Sequence, residues 1–331
     1  MGQTSLHVLS PRTGERGYLA DAMVNYLALL GWNDGTDKEI YSRDELIEAF
    51  SLERVIASPA MFDDDKLRWI NGQHLRALPV SALAPLVAEF LAKDGVLPAG
   101  GYEAAPAIAF VETATTMAQP KAELIVDVSA MTLAALTYPL RATLSAAADE
   151  QAAPAERKRI KQQLDDGFAD FAAQLADSFE QREAPAWCYA DFQGEVRDDG
   201  DADFAAWIAR LGERTDRAKK RLLMPARLAL TGQAQGPDVG AQLRTLALAA
   251  RAQVAAPGLV PLAQRIEELK QWARGTAAGA TDENSSLFDP AAPSATRPAH
   301  QQTRRHAPNF FFLEVWILGE CRQALSGSGP S

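Results

Sequence analysis

Cysteine, aromatic rings and long apolar runs are all scarce in these 331 residues, and each shortage removes a class of protein. The two cysteines, Cys188 and Cys321, stand far apart, in no CxxC spacing and beside no histidine cluster. That excludes a disulfide framework or a zinc site and fits a reducing compartment. Four scattered histidines supply no Ser/His/Asp or Cys/His constellation, and no glycine-rich phosphate loop is present, so no catalytic centre is legible. No apolar run approaches the ~20 residues that cross a bilayer. The longest, Phe310 to Leu318, carries Glu314, so no membrane partner is expected. The N-terminal residues show neither a secretory apolar core nor an Arg- and Ser-rich transit stretch. Positive charge is also in short supply. A net charge of -10 excludes a protein that coats nucleic acid, DNA included, non-specifically, and any RNA contact has to be local.

What is present is helix former. The 47% hydrophobic content comes mainly from Ala and Leu, while period-two runs of Val, Ile and Thr are scarce and no strand is legible, so the expected fold class is all-α, a helical bundle. Leu19, Met23, Tyr26, Leu27 and Leu30 form one stripe that Gly31 stops. Ser42 with Glu45 three residues later is a capping-box pattern. Further helices are expected over 62–76, 79–93, 104–118, 127–147, 155–182, 201–222, 238–252 and 261–274. Residues 275–331 are poor in apolar surface up to about 308, which reads as a disordered, low-complexity tail. Its closing NFFFLEVWILGE is compatible with a packed helix or strand and with translated non-coding sequence.

Several strings carry a family resemblance: NYLALLGW at 25–32, LERV at 52–55, SPAMFD at 58–63 and KLRWINGQHLR at 66–76. LTYPLRATL at 136–144, MPARLALTGQAQGPDVG at 224–240 and LVPLAQRIEELK at 259–270 extend it to Trp272, across a divergent middle from 95 to 220. The chain resembles the C-terminal part of bacterial- and plastid-type glutamyl-tRNA synthetases, which are class I enzymes. The resemblance implies a divergent start over 1–16, a stem-contact segment over 17–78 and a helical anticodon-binding domain over 79–274. It implies tRNA for glutamate as partner, a monomer, and the plastid stroma as location with the mitochondrion as the alternative. An all-helical body also separates it from glutaminyl-tRNA synthetases, whose anticodon-binding part is β-barrel. The family uses ATP and Mg in its catalytic domain; this chain is expected to hold no cofactor, because neither the His-containing signature nor the Lys-containing loop occurs. LSPR at 9–12 is similar to the family's LSKR, but Pro11 stands where the lysine would be. An inactive chain is therefore expected, either a severed tRNA-binding part, an incomplete reading of a longer gene, or a helical scaffold that has left RNA binding behind.

By the same resemblance Arg227 of MPAR contacts the anticodon, where a guanidinium can stack and donate two hydrogen bonds. Gly236, Pro237 and Val239 approach the bases on the following turn. Lys121 sits near the place of an arginine that reads the last anticodon base, without that residue's rigid fork. Lys66, Arg68 and Asn71 are expected on the tRNA backbone at the inner corner, with Arg68 and Asn71 on one helix face. Lys219, Lys220 and Arg221 belong to a basic stretch that begins at Arg210 and is read as the densest positive run. The bland alternatives are an Arg227–Asp238 ion pair, pairing of Lys66 and Arg68 with Asp63 to Asp65, and a solvated helix face for 210–221. Trp32 and Trp69 are expected in the core.

Overall fold

The computed structural model describes residues 7–9, 16–56, 61–97, 101–164, 167–194, 196 and 201–279. Ser58 and Pro59, the stretch 280–331 and with it Cys321 lie outside the described residues. Residues Met1–Glu283 form one compact unit, with Asn284–Ser331 grouped separately.

One short strand pair, not legible in the sequence, accompanies the helices. β1 (His7–Leu9) and β2 (Arg16–Leu19) pair antiparallel, His7 opposite Leu19 and Val8 opposite Tyr18, with an irregularity between Val8 and Leu9. Strands of three and four residues are too short for a period-two pattern to stand out. β2 runs directly into α1 (Ala20–Leu29), whose Met23 and Tyr26 are buried. Trp32, past the helix end, bridges to Val55 and packs edge-on to Tyr41 at 5.7 Å. α2 (Arg43–Ala49) begins on the expected capping box: Glu45 N–H donates to Ser42 Oγ at 3.2 Å and Ser42 N–H to Glu45 Oε2 at 2.8 Å. α3 (Asp64–Ala77) is capped by the Asp63 carboxylate, which accepts from the N–H groups of Asp65 and Lys66. α4 (Val80–Lys93) buries the expected stripe Leu83, Leu86, Val87, Phe90 and Leu91.

α5 (Ala105–Ala118) follows as one helix, but three expected helices are each divided. The 127–147 pattern is α6 (Ile125–Leu136) and α7 (Leu140–Ala146), because Thr137 before Tyr138-Pro139 is extended. The 155–182 pattern is α8 (Pro154–Gln163) and α9 (Phe168–Glu180), separated around Leu164 and Gly167. The 201–222 pattern is α10 (Asp201–Thr215) and the start of α11 (Lys220–Thr231), turned by positive φ at both Asp216 and Lys219. Periodicity in apolar residues carries across such short breaks, which is why it hides them. α12 (Val239–Arg251) is the central helix, buried along most of its length against α5 and α6. α13 (Leu262–Gly279) packs on α9 and continues five residues past the expected end at 274, so 275–279 is helix and not tail.

Candidate nucleic-acid interface

α11 ends at Gly232 in the left-handed region, φ 68°. Any side chain there is strained, and a Cβ would also lie 2.7 Å from Leu140 N. This turn is held from three sides. Tyr138 Oη donates to Ala229 O at 2.6 Å and Thr143 Oγ1 to Gly232 O at 2.6 Å. The fully buried Arg265 of α13 donates to Val260 O at 2.9 Å, Leu230 O at 3.3 Å and Ala135 O at 2.7 Å. Burial pulls the Arg265 guanidinium down to about 10, still far above neutrality, so it is a cation neutralised by carbonyl dipoles. The LTYPL and QRIEEL strings are thereby explained as scaffold for the segment that leaves α11.

That segment, 233–238, is carried on side-chain donors from four other places in the chain. Gln233 Nε2 reaches back to Ala134 O at 2.6 Å, and Gln163 Nε2 of α8 donates to Ala234 O at 2.8 Å. Arg159 Nη1 donates to the Gln235 side-chain oxygen. Lys121 Nζ donates to Gly236 O at 2.7 Å, Arg227 Nη2 to Pro237 O at 2.7 Å and Gln242 Nε2 to Pro237 O at 3.0 Å. Asp238 caps α12 by accepting from Ala241 N–H at 2.9 Å. Gly236 has φ 154°, and a Cβ on it would approach Arg227 Nη1 to 3.3 Å and Gln242 Nε2 to 3.2 Å. Thus Lys121, Arg227, Gly236, Pro237 and Val239, the first residue of α12, meet at one place although Lys121 is 115 residues from Gly236.

Around this segment several buried polar atoms have no hydrogen-bond partner: Arg227 Nη1, Gln242 Oε1 and Gln163 Oε1. Burial lowers the Arg227 pKa, and the charge of Asp238 partly opposes that; the guanidinium stays protonated. The bland alternative of an Arg227–Asp238 ion pair is not what forms, since Arg227 spends Nη2 on a backbone carbonyl.

The other candidates divide. Asn71 is fully buried, accepting at Oδ1 from Leu19 N–H at 2.7 Å and donating from Nδ2 to Glu123 O, so it ties β2 and α3 to the segment before α6 and faces no solvent. Arg68, on the same face, pairs with Glu123 at 3.3 Å and Asp127 at 3.9 Å. Lys66 pairs with Glu39 at 2.6 Å. Lys219, Lys220 and Arg221 are exposed at the start of α11, whereas Arg210 and Arg214 of the same stretch are bound to Glu183 and Arg217 lies 5.1 Å from the Phe171 ring. Trp32 is core as expected, but Trp69 is 42% exposed.

Four features escaped sequence reasoning. Asn25 and His74, both inside resemblance strings, form a buried hub: Asn25 Oδ1 accepts from Tyr41 N–H at 3.0 Å and from His74 Nε2 at 3.0 Å. Arg265 is a buried tie. Of the nine exposed large hydrophobics among the described residues, seven fall between Ile47 and Trp69. The fourth is α8, with Arg157, Lys158, Arg159 and Lys161 in five residues, a denser positive run than 210–227 and visible in the sequence.

Residues 4–69 match the family described as tRNA synthetases class I (E and Q), catalytic domain. The match starts ahead of the junction expected at residue 16 and covers most of the expected stem-contact segment. The glutamate–tRNA ligase of Heliobacterium modesticaldum is 32% identical over 70% of this chain and 41% of its own length. That of Carboxydothermus hydrogenoformans is 30% identical over 68% of this chain and 41% of its own. The chain is homologous to glutamate–tRNA ligases over about 70% of its length. It spans about 41% of the length of these ligases. A crystal structure of a glutamate tRNA ligase from Elizabethkingia meningosepticum shares the fold, with a TM-score of 0.53 at 21% identity over 81% of this chain and 45% of that one.

Proposed function

We propose that this chain carries tRNA recognition in glutamyl-tRNA aminoacylation, with Lys121 and residues 227–239 meeting the anticodon, and that it does not itself activate glutamate with ATP. The observation that carries the reading is the convergence on 233–238. The 233–238 segment is held by five side-chain donors from elsewhere in the chain, beside a guanidinium nitrogen and an amide oxygen that nothing in the fold satisfies. Leaving such groups unpaired costs about 1–3 kcal/mol each, a cost that a ligand bringing its own acceptor and donor removes. The Watson–Crick edge of a splayed base is such a ligand. Homology to glutamate–tRNA ligases makes tRNA for glutamate the RNA of choice. Pro11 in LSPR, and the lack of a His-containing signature, support the absence of activation.

Filter binding at physiological salt tests the first half: the chain should prefer a tRNA-Glu transcript over the same transcript with a substituted anticodon, and Arg227→Ala should erase the preference. Equal binding of both transcripts by the unaltered chain overturns it. Glutamate-dependent ATP–pyrophosphate exchange tests the second half, and measurable exchange overturns that.

A second reading, a helical protein-interaction module, is favoured by the apolar surface at Ile47, Leu52, Ile56 and Met61, all more than half exposed. It requires that tRNA binding be absent while a partner interaction is lost on Ile47→Ser with Met61→Ser.

A further inference from the structure

Beyond the base-facing segment, the structure carries a second basic element that the resemblance strings do not include. α8 opens on Pro154 at its first turn and buries Ile160 and Gln163 against the fold. The rest of the helix carries Arg157, Lys158, Arg159 and Lys161, with one exposed carboxylate, Glu156, in the first turn and Gln162 exposed beside Lys161. Pro154, Arg157, Lys158 and Lys161 line one open depression of about 500 Å³, since residues three and four apart share a helix face. Lys158 and Lys161 are exposed, and neither has a carboxylate partner among the described residues. Arg157 is half-buried with its Nε unpartnered.

Position makes this more than a solvated helix. Arg159 and Gln163, on the neighbouring face of α8, are two of the donors that hold Gln235 and Ala234. A strand whose bases reach 233–238 therefore runs past α8. In a chain of net charge -10, four cations in five residues beside Glu156 form a local positive site on a mostly repelling background, the arrangement that draws a polyanion to one place.

We infer that the Arg157–Lys158–Lys161 face of α8 binds the sugar-phosphate backbone of the RNA strand whose bases meet 233–238, acting as an electrostatic rail without base specificity. The inference rests on the RNA-binding reading above. An acidic protein surface is the competing occupant, and the test separates the two.

The experiment measures binding of the whole chain to a tRNA-Glu transcript, to its anticodon-substituted form and to a single-stranded RNA of unrelated sequence, each across a salt series. Lys158→Ala with Lys161→Ala is compared with the unaltered chain and with Lys38→Ala plus Arg43→Ala, which removes the same charge beside α2. Two lost phosphate contacts should lower the slope of log K against log salt by about 1.4–1.8, and weaken matched and mismatched transcripts by the same factor. The control pair should leave the slope in place. If the α8 pair leaves it in place while the anticodon preference persists, the rail is overturned and the anticodon reading stands. If the slope falls but no anticodon preference exists, the rail stands and the anticodon reading is overturned. A chain that binds none of the three RNAs overturns both and leaves α8 to an acidic partner.

Discussion

The α1–α4 layer and the α11–α12 junction both carry dense polar residues within resemblance strings, and both leave buried atoms unpaired, Trp32 Nε1 and Tyr41 Oη in the first, yet they differ in how they use their amide, imidazole and guanidinium groups. In the first, Asn25, Asn71 and His74 close hydrogen bonds inside the fold, and Arg68 is committed to Glu123 and Asp127. Beside its exposed charged side chains, this layer also leaves apolar ones on its surface: Ile47, Leu52, Ile56 and Met61. At the junction the core ties are made by Tyr138, Thr143 and Arg265, and the remaining polar atoms of Arg227, Gln242 and Gln163 are left unpaired. A polar residue in a strongly patterned string is thus no guide to a binding surface. The distinction lies in whether its hydrogen-bonding capacity is used up, and only the folded chain displays that.

The comparison breaks first at Arg265. Arg265→Met removes three charge-assisted bonds to buried carbonyls of the elements that launch 233–238. Urea denaturation should show a loss of about 3 kcal/mol or more, with tRNA binding falling in parallel as the junction loosens. A loss under about 1 kcal/mol would mean that these carbonyls find water and that the junction is not tied through α13. Next comes Asn71→Ala, which leaves Leu19 N–H and Glu123 O buried and unpaired. A loss of about 2 kcal/mol is expected, with unchanged affinity for tRNA in the folded protein. A selective loss of RNA affinity at native stability would restore Asn71 as an RNA contact.

The helical class, the first turn of α2 and the apolar stripe of α4 were readable because each depends on local spacing, with Ser42 and Glu45 the clearest case. So was the grouping of Arg227 with Gly236 and Pro237, which are close in sequence. Lys121 joins them only through tertiary packing of the segment before α6, and its bond to Gly236 O has no local signal. The breaks at Thr137 and Asp216 were hidden because apolar periodicity continues across them. α8 was legible as charge, but what gives it meaning is Gln163 and Arg159 reaching the 233–238 segment from 71 and 76 residues away.

Arg227→Gln sharpens the comparison from the other side. Glutamine keeps a donor for Pro237 O but has neither the planar fork nor the charge, so stability should change by less than about 1 kcal/mol. Affinity for tRNA-Glu should fall roughly tenfold, with the loss concentrated in anticodon discrimination. Set beside Asn71→Ala, the pair forms a crossed test: one variant loses stability and keeps binding, the other keeps stability and loses binding. Equal effects of both on both readouts would dissolve the distinction between the two regions.

The smallest effect is one of pH, and it falls in the α1–α4 layer alone. His74 is half-buried against Asn25, and burial lowers its pKa below the ordinary 6.5, with the charge of Asp21 opposing. The unfolded chain therefore takes up this proton at a higher pH than the folded one. Stability is fully present above about pH 6.5 and declines as pH falls below it toward the folded pKa. Carboxylates whose pKa values the fold depresses, such as Glu45 at about 2 and Asp191 beside Arg182, lose their contribution only below their ordinary values of 4.5 and 3.8. Among the described side chains, the slope of unfolding free energy against pH between pH 6.5 and 5 thus reports His74. His74→Gln retains an N–H for Asn25 Oδ1 but cannot titrate, so it should flatten that window and leave the acid limb below pH 4.5 unchanged. A variant whose slope between pH 6.5 and 5 matches the unaltered chain would show that the Asn25 hub admits water, and that this layer is as open to solvent as the junction it is contrasted with.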